Sequence, residues 1–208
     1  MKGYIKYLAL ILAALAIISL SSCKEKDGGE EETGELPKLP AYSQLALEAY
    51  IKPFSYTGLT VTVAEGEQKY EAVWRQIVAS VEIIEYPAAH VEYYVEQEKA
   101  KYRYFAKRDG IEYEALLEGL GVTEDSILAN ARELVREDLV LEYIIRDGGI
   151  ALTDTEKAEL TDKYAERLTA VYGGDREYIK ANMPERIYDA MLHDKVMEYL
   201  LLNNEFSE

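Results

Sequence analysis

The sequence predicts an all-α protein, an irregular helical bundle with extended arms and one short N-terminal extended segment. Three observations predict it. From Glu67 onward apolar residues recur every three or four positions, the period of an amphipathic helix. The recurring segments are separated by glycines and opened by threonine caps, which are helix stop and start signals. One stretch, Leu139–Ile145, is apolar at nearly every position, so other helices must surround it.

The N-terminal residues predict an address and not a fold. Lys2 and Lys6 precede an unbroken apolar run, Leu8–Ile18, and the chain then reads Leu20-Ser21-Ser22-Cys23. The run is shorter than the roughly 20 apolar residues a membrane-crossing helix needs, and it suits a secretory signal. Small residues at 21 and 22 followed by cysteine match a lipobox. Cleavage is expected between Ser22 and Cys23, with residues 1–22 as the signal and diacylglycerol on the Cys23 thiol. The competing reading is an uncleaved anchor or a plain secretory signal. Cys23 is the one cysteine of the sequence, which excludes an internal disulfide and a thiolate cluster. Two or more acyl chains, at about 0.8 kcal/mol per buried methylene, hold a protein stably on a membrane. The expected location is therefore a cell membrane, lipid-anchored, facing outside the cytoplasm.

Residues 23–40 lack hydrophobic periodicity and mix Gly, Pro and Glu30-Glu31-Glu32, which predicts a flexible acidic tether. A calcium site in those glutamates is the alternative to a solvated spacer. Residues 41–66 read as a short helix over Ala41–Ile51, stopped by Pro53, and an extended arm over Tyr56–Val63 with strand-like alternation. One strand makes no sheet, so this segment must pack as an arm or find a partner that the pattern does not reveal.

Residues 67–208 form the helical domain. A first helix spans about 67–85, with Tyr70, Val73, Trp74, Ile77, Val81 and Ile84 on one face. Pro87 is tolerated in the first turn of a second helix that reaches about Lys107. A short helix at 112–120 ends at Gly121, and Thr123 caps a long one over 124–147, stopped by Gly148-Gly149. Thr153 and Glu156 form a capping box that opens a helix to about Tyr172. Gly173-Gly174 ends it, and helices near 176–182 and 184–202 follow.

With 23 basic and 39 acidic residues, the charge of −16 argues against nucleic acid and anionic headgroups as partners. His90 and His193 are placed on the polar side or edge of their helices, with no metal-ligand spacing around them. No nucleophile elbow occurs, and the paired glycines follow helices instead of strands, so no phosphate loop is indicated. No catalytic residue, metal ligand or cofactor is expected.

Eighteen tyrosines against three phenylalanines is an unusual ratio. On the second helix, Val91, Tyr94, Val95, Glu98, Tyr102 and Phe105 read as the core stripe. A second stripe, Tyr93, Gln97, Ala100 and Tyr104, follows the i, i+4, i+7, i+11 pattern. Tyrosine combines a large contact area with a polar tip, which suits binding of varied apolar peptides. Packing of this stripe on the arm or on a neighbouring helix is the other reading.

Six segments in order carry a family resemblance. They are Tyr56–Val61 (Y-x-G-L-x-V), Glu85–Val91 (x-x-P-x-x-x-V), Gly121–Asp125 (G-x-T-E-E/D), Leu139–Ile145, Ile150–Glu156 and Leu192–Val196. Together they resemble the C-terminal, substrate-cradling domain of trigger factor and the related chaperone module of the periplasmic foldase SurA. The resemblance implies a cradle for unfolded or secreted polypeptides. The sequence departs from the family in having neither the prolyl-isomerase domain nor an Arg-containing ribosome-docking loop. Isomerase activity and a ribosome partner are therefore not expected. A lipid-anchored adaptor that binds one folded partner is the alternative function.

Overall fold

The computed structural model describes residues 38–207. The expected signal sequence, Ser22, Cys23 and the tether up to residue 37 lie outside the described residues. The fold is mostly helical, as the sequence predicts.

In the order of the chain come two 3-10 turns, strand β1 (Thr60–Thr62) and helices α1 (Lys69–Ser80), α2 (Ala88–Asp109) and α3 (Tyr113–Leu120). They are followed by α4 (Glu124–Asp147), α5 (Asp154–Tyr172), α6 (Arg176–Asn182), α7 (Pro184–Leu202) and strand β2 (Glu205–Ser207). The caps explain why the later helices begin and end where they do. Thr123 Oγ1 accepts the Ser126 N–H at 3.1 Å to open α4. Thr153 does the same for Glu156 N–H at 3.1 Å while the Glu156 carboxylate accepts the Thr153 N–H at 2.7 Å. Pro184 stands at the first position of α7, where its missing N–H costs nothing.

Three expectations are corrected, and for the extended arm one of the two open alternatives is found. The short helix over 41–51 is instead two separate 3-10 turns, Tyr42–Gln44 and Leu47–Ala49. The carbonyls of Tyr42 and Leu45 are taken by the Arg146 guanidinium, which competes with α-helical pairing. The first long helix ends at Ser80 and not at Glu85. Val81 turns extended, Ile83 bridges Ile51 antiparallel, and the Ile84 N–H donates to Tyr50 O at 2.8 Å. β-Branched Val81, Ile83 and Ile84 suit an extended path as well as a helix, and the pairing with Tyr50 and Ile51 selects it. The extended arm has a partner within the chain: β1 pairs parallel with β2, Val61 opposite Phe206. His90 is not at a polar edge but buried, 2% exposed.

Two clusters make the core. The larger joins α1, the second half of α4, the second half of α7 and the arm, around Val61, Val73, Ile77, Leu139, Ile144 and Leu200. The smaller joins α5, α6 and the first half of α7 through Leu168, Ile179, Ile187 and Met191. Leu139 and Val140 are fully enclosed, in keeping with the near-continuous apolar run around them. Two arms therefore leave a common body. One consists of α2, α3 and the start of α4; the other consists of α5, α6 and the start of α7.

Candidate functional site

A hollow lies between the body and these arms. It is a cleft of about 1530 Å³ walled by α1, α2, α4 and α7, with Leu168 of α5 at one side. Residues 38–40, the end of the expected tether, and residues 41–43, from the expected short helix, run along it as a further wall. Leu39, Pro40 and Tyr42 are half-buried there, so residues 39 and 40 are packed against the body and are not part of a flexible tether.

Apolar and aromatic surface comes mainly from Trp74 and Val78 of α1, Leu141 and Ile145 of α4, and Leu192 and Met197 of α7. These positions are one or two helical turns apart, so each helix presents a stripe to the same space. The charged lining is unbalanced, with eight carboxylates against Lys38 and three arginines. Such a rim accepts N–H groups and repels anions.

Tyr94 and Asp138 tie α2 to α4 across the cleft floor. The Tyr94 hydroxyl donates to Asp138 Oδ2 at 2.5 Å, and the Tyr42 hydroxyl lies beside the same carboxyl. Burial pushes Asp138 up to about 6, although the two tyrosine hydroxyls oppose the rise. The neighbouring Glu137 is pushed up to about 7 by burial and by the Asp138 charge, against the Trp74 indole N–H. Burial and the Asp138 charge together raise the Tyr94 phenol well above its ordinary value. Tyr42 stacks on His90 with ring centroids 4.2 Å apart, and burial lowers the imidazole pKa. On the opposite wall, Arg186 of α7 lies close to Tyr93 of α2 and Tyr172 of α5.

Comparison with protein-family models, with curated proteins and with solved structures returned no match. The residues alone must carry the functional reading.

The second tyrosine stripe is divided by this geometry. Tyr93 and Gln97 are buried, 4% and 5% exposed, and both line the cleft. Ala100 is half-buried and Tyr104 is 44% exposed; both sit further along α2, outside the cleft. The stripe read as core is only half-buried along its length, whereas His90, Tyr93, Gln97 and Ala106 are the enclosed residues of α2. This helix has cover on two sides, from α4 and from residues 38–43, so neither stripe alone is its inner face.

Sequence reasoning missed the wall formed by residues 38–43, Trp74 as a wall and Asp138 as the floor. The signal for the first was Leu39-Pro40-Ala41-Tyr42, an apolar run directly after the acidic spacer. No pattern distinguishes Asp138 from its many acidic neighbours. Among the described residues no group of three or more His, Cys, Asp or Glu is placed to hold a metal ion. Among them, too, no helix is long and apolar enough to cross a membrane.

Proposed function

We propose that the chain is a membrane-anchored extracytoplasmic holdase, a foldase-like chaperone that binds unfolded or newly translocated polypeptides without isomerase activity. The cleft is the observation that carries this reading. Small-molecule pockets occupy roughly 300–1,000 Å³, whereas this cleft measures about 1530 Å³ and opens between two arms. That space suits several consecutive residues of an extended chain. Its walls offer burial to apolar side chains at about 25 cal/mol per Å², while tyrosine hydroxyls and carboxylates receive backbone and side-chain N–H groups. Contacts of this kind are individually weak, so release needs no nucleotide. The order of motifs resembling trigger factor and SurA supports the same reading, and the lipobox at Cys23 supports attachment to the membrane.

Two measurements test the proposal. Purified protein at stoichiometric amounts is expected to slow aggregation of several unrelated unfolded clients; no effect on any of them would sink the holdase reading. Mass spectrometry of the membrane fraction is expected to find acyl groups on Cys23, and Cys23→Ser is expected to move the chain to the soluble fraction.

A lipid-anchored adaptor for one folded partner is the second reading. It is favoured by Tyr104, Ile111 and Leu120, which are 44%, 46% and 57% exposed on the α2–α3 arm and lie outside the cleft. Crosslinking from Tyr93 and Tyr104 separates the two readings, because a holdase yields many products and an adaptor yields one.

A further inference from the structure

We infer that residues 38–45 are an autoinhibitory strap, an internal occupant of the cleft that a client must displace. The inference rests on the holdase reading and adds regulation to the same site.

Three features of the segment point to occupancy instead of ordinary packing. Its side chains sort as those of a bound peptide do. Leu39, Pro40, Tyr42 and Leu45 turn inward and are half-buried, while Ala41, Ser43 and Gln44 are exposed. Its backbone belongs to no helix or sheet, apart from one 3-10 turn at Tyr42–Gln44. It is held from outside by a side chain, since the Arg146 guanidinium donates to the carbonyls of Leu45, at 2.7 Å, and Tyr42. Carbonyls are common to every residue, so this grip does not depend on what sequence lies beneath it.

The seat of the strap is also the floor of the cleft. Tyr42 covers His90 and lies beside Asp138 and Tyr94, the groups that join α2 to α4. A client segment entering to full depth meets Tyr42 first. The strap is held by side chains, Arg146 on its carbonyls, Asp138 beside the Tyr42 hydroxyl and His90 at Pro40, and by the packing of Tyr42 and Leu45 on the larger core; no backbone ladder ties it to a helix, so it can lift without unfolding any helix of the body. While the strap is seated, only the fraction of molecules with it lifted binds a client at full depth, and the apparent affinity falls by that fraction.

Trp74, the one tryptophan of the sequence, lines the cleft and reports on it. The test titrates the full-length chain with reduced, carboxymethylated ribonuclease A, an unfolded polypeptide without tryptophan, and follows Trp74 fluorescence. Tyr42→Ala and, separately, Leu39→Ser are expected to tighten binding on the order of tenfold, which corresponds to a strap lifted in roughly a tenth of the molecules. Both substitutions fall on the strap and outside the helices of the body. Hydrogen exchange of the strap amides is expected to speed up when the client binds the unaltered protein. Leu39→Ser keeps the test alive if Tyr42→Ala fails to fold. Equal affinities in all three proteins, with strap exchange unchanged by the client, overturn the strap and leave the cradle standing. No binding by any of the three sinks the holdase reading and the strap with it.

Discussion

The hydroxyl of Tyr94 on α2 meets the carboxylate of Asp138 on α4 at 2.5 Å, joining the root of one arm to the body. The carboxyl is half-buried and its pKa, like that of Glu137 beside it, stands above the ordinary value. The folded state therefore holds protons that the unfolded chain has released, and stability declines as pH rises through that window. For Asp138 the decline runs from about 3.8 to about 6. For Glu137 it runs from about 4.5 to about 7. Glu156 acts in the opposite sense: its pKa is held at about 2, chiefly by Lys195, so its stabilisation is lost only as pH falls below about 4.5. The expected profile is a stability maximum near pH 4–5, checked by thermal melts across pH. In Asp138→Asn the amide still accepts from Tyr94, so the melt is expected to be equal or higher above pH 7 and flatter across the acidic range.

Asn204 closes the sheet from within the chain. Its amide accepts the Leu59 N–H at 2.8 Å and donates to Tyr56 O at 3.0 Å and Leu200 O at 2.8 Å. Asn204→Ala removes the partner of the Leu59 N–H and of the Tyr56 carbonyl in the arm, and of the Leu200 carbonyl at the end of α7. A loss of about 1–3 kcal/mol in urea denaturation is expected, together with fast hydrogen exchange of the Val63 amide, which donates to Ser207 O at 2.9 Å.

The capping box of α5 is coupled to α7. Glu156 accepts from Thr153 and also from Lys195 Nζ at 2.6 Å. Thr153→Ala is expected to cost about 1 kcal/mol. Because both partners share one carboxylate, the effects of Thr153→Ala and Lys195→Met are expected not to add. A double-mutant cycle on denaturation midpoints checks it.

Ile144 has no exposed surface and sits in the larger core cluster. Ile144→Ala is expected to lose about 2–5 kcal/mol, whereas Ile84→Ala, at a position 51% exposed, is expected to change stability by less than about 0.5 kcal/mol.

Trp74 supplies the largest ring among the walls of the cleft. If clients bind there, Trp74→Ala weakens binding on the order of tenfold, the scale of one large side chain's burial. Client-dependent suppression of aggregation measures this, with a melt to show that the fold survives. An unchanged affinity would move the binding surface elsewhere.

The later helices were legible because local signals agree there. Thr123 and Thr153 cap, Gly121 and Gly173 stop, and Pro184 opens, each within a few residues of the boundary it sets. The stretch from residue 81 to 85 was not legible, since Val81, Ile83 and Ile84 satisfy a helical stripe and an extended chain equally well. Only the distant Ile51 and Tyr50 decide for the extended path. β2 was hidden for the same reason: Glu205-Phe206-Ser207 carries no alternation long enough to read, and its partner is remote in sequence. As for the site, Tyr93 and Gln97 could be singled out by spacing, but their enclosure could not. Asp138 and Arg146 gain their roles only from Tyr94, Tyr42 and Leu45, which folding brings to them.

The pairing of Leu59 with Asn204 spans 145 positions, and the strand beside it is synthesised long after its mate. A chain that emerges from synthesis N-terminus first must therefore wait, with Val61 and the α1 face uncovered, until this distal stretch arrives. Early stages of its own maturation expose the kind of surface that its finished form is proposed to shelter in others, and the slow step of its folding is expected to be this late closure, not the making of any single helix.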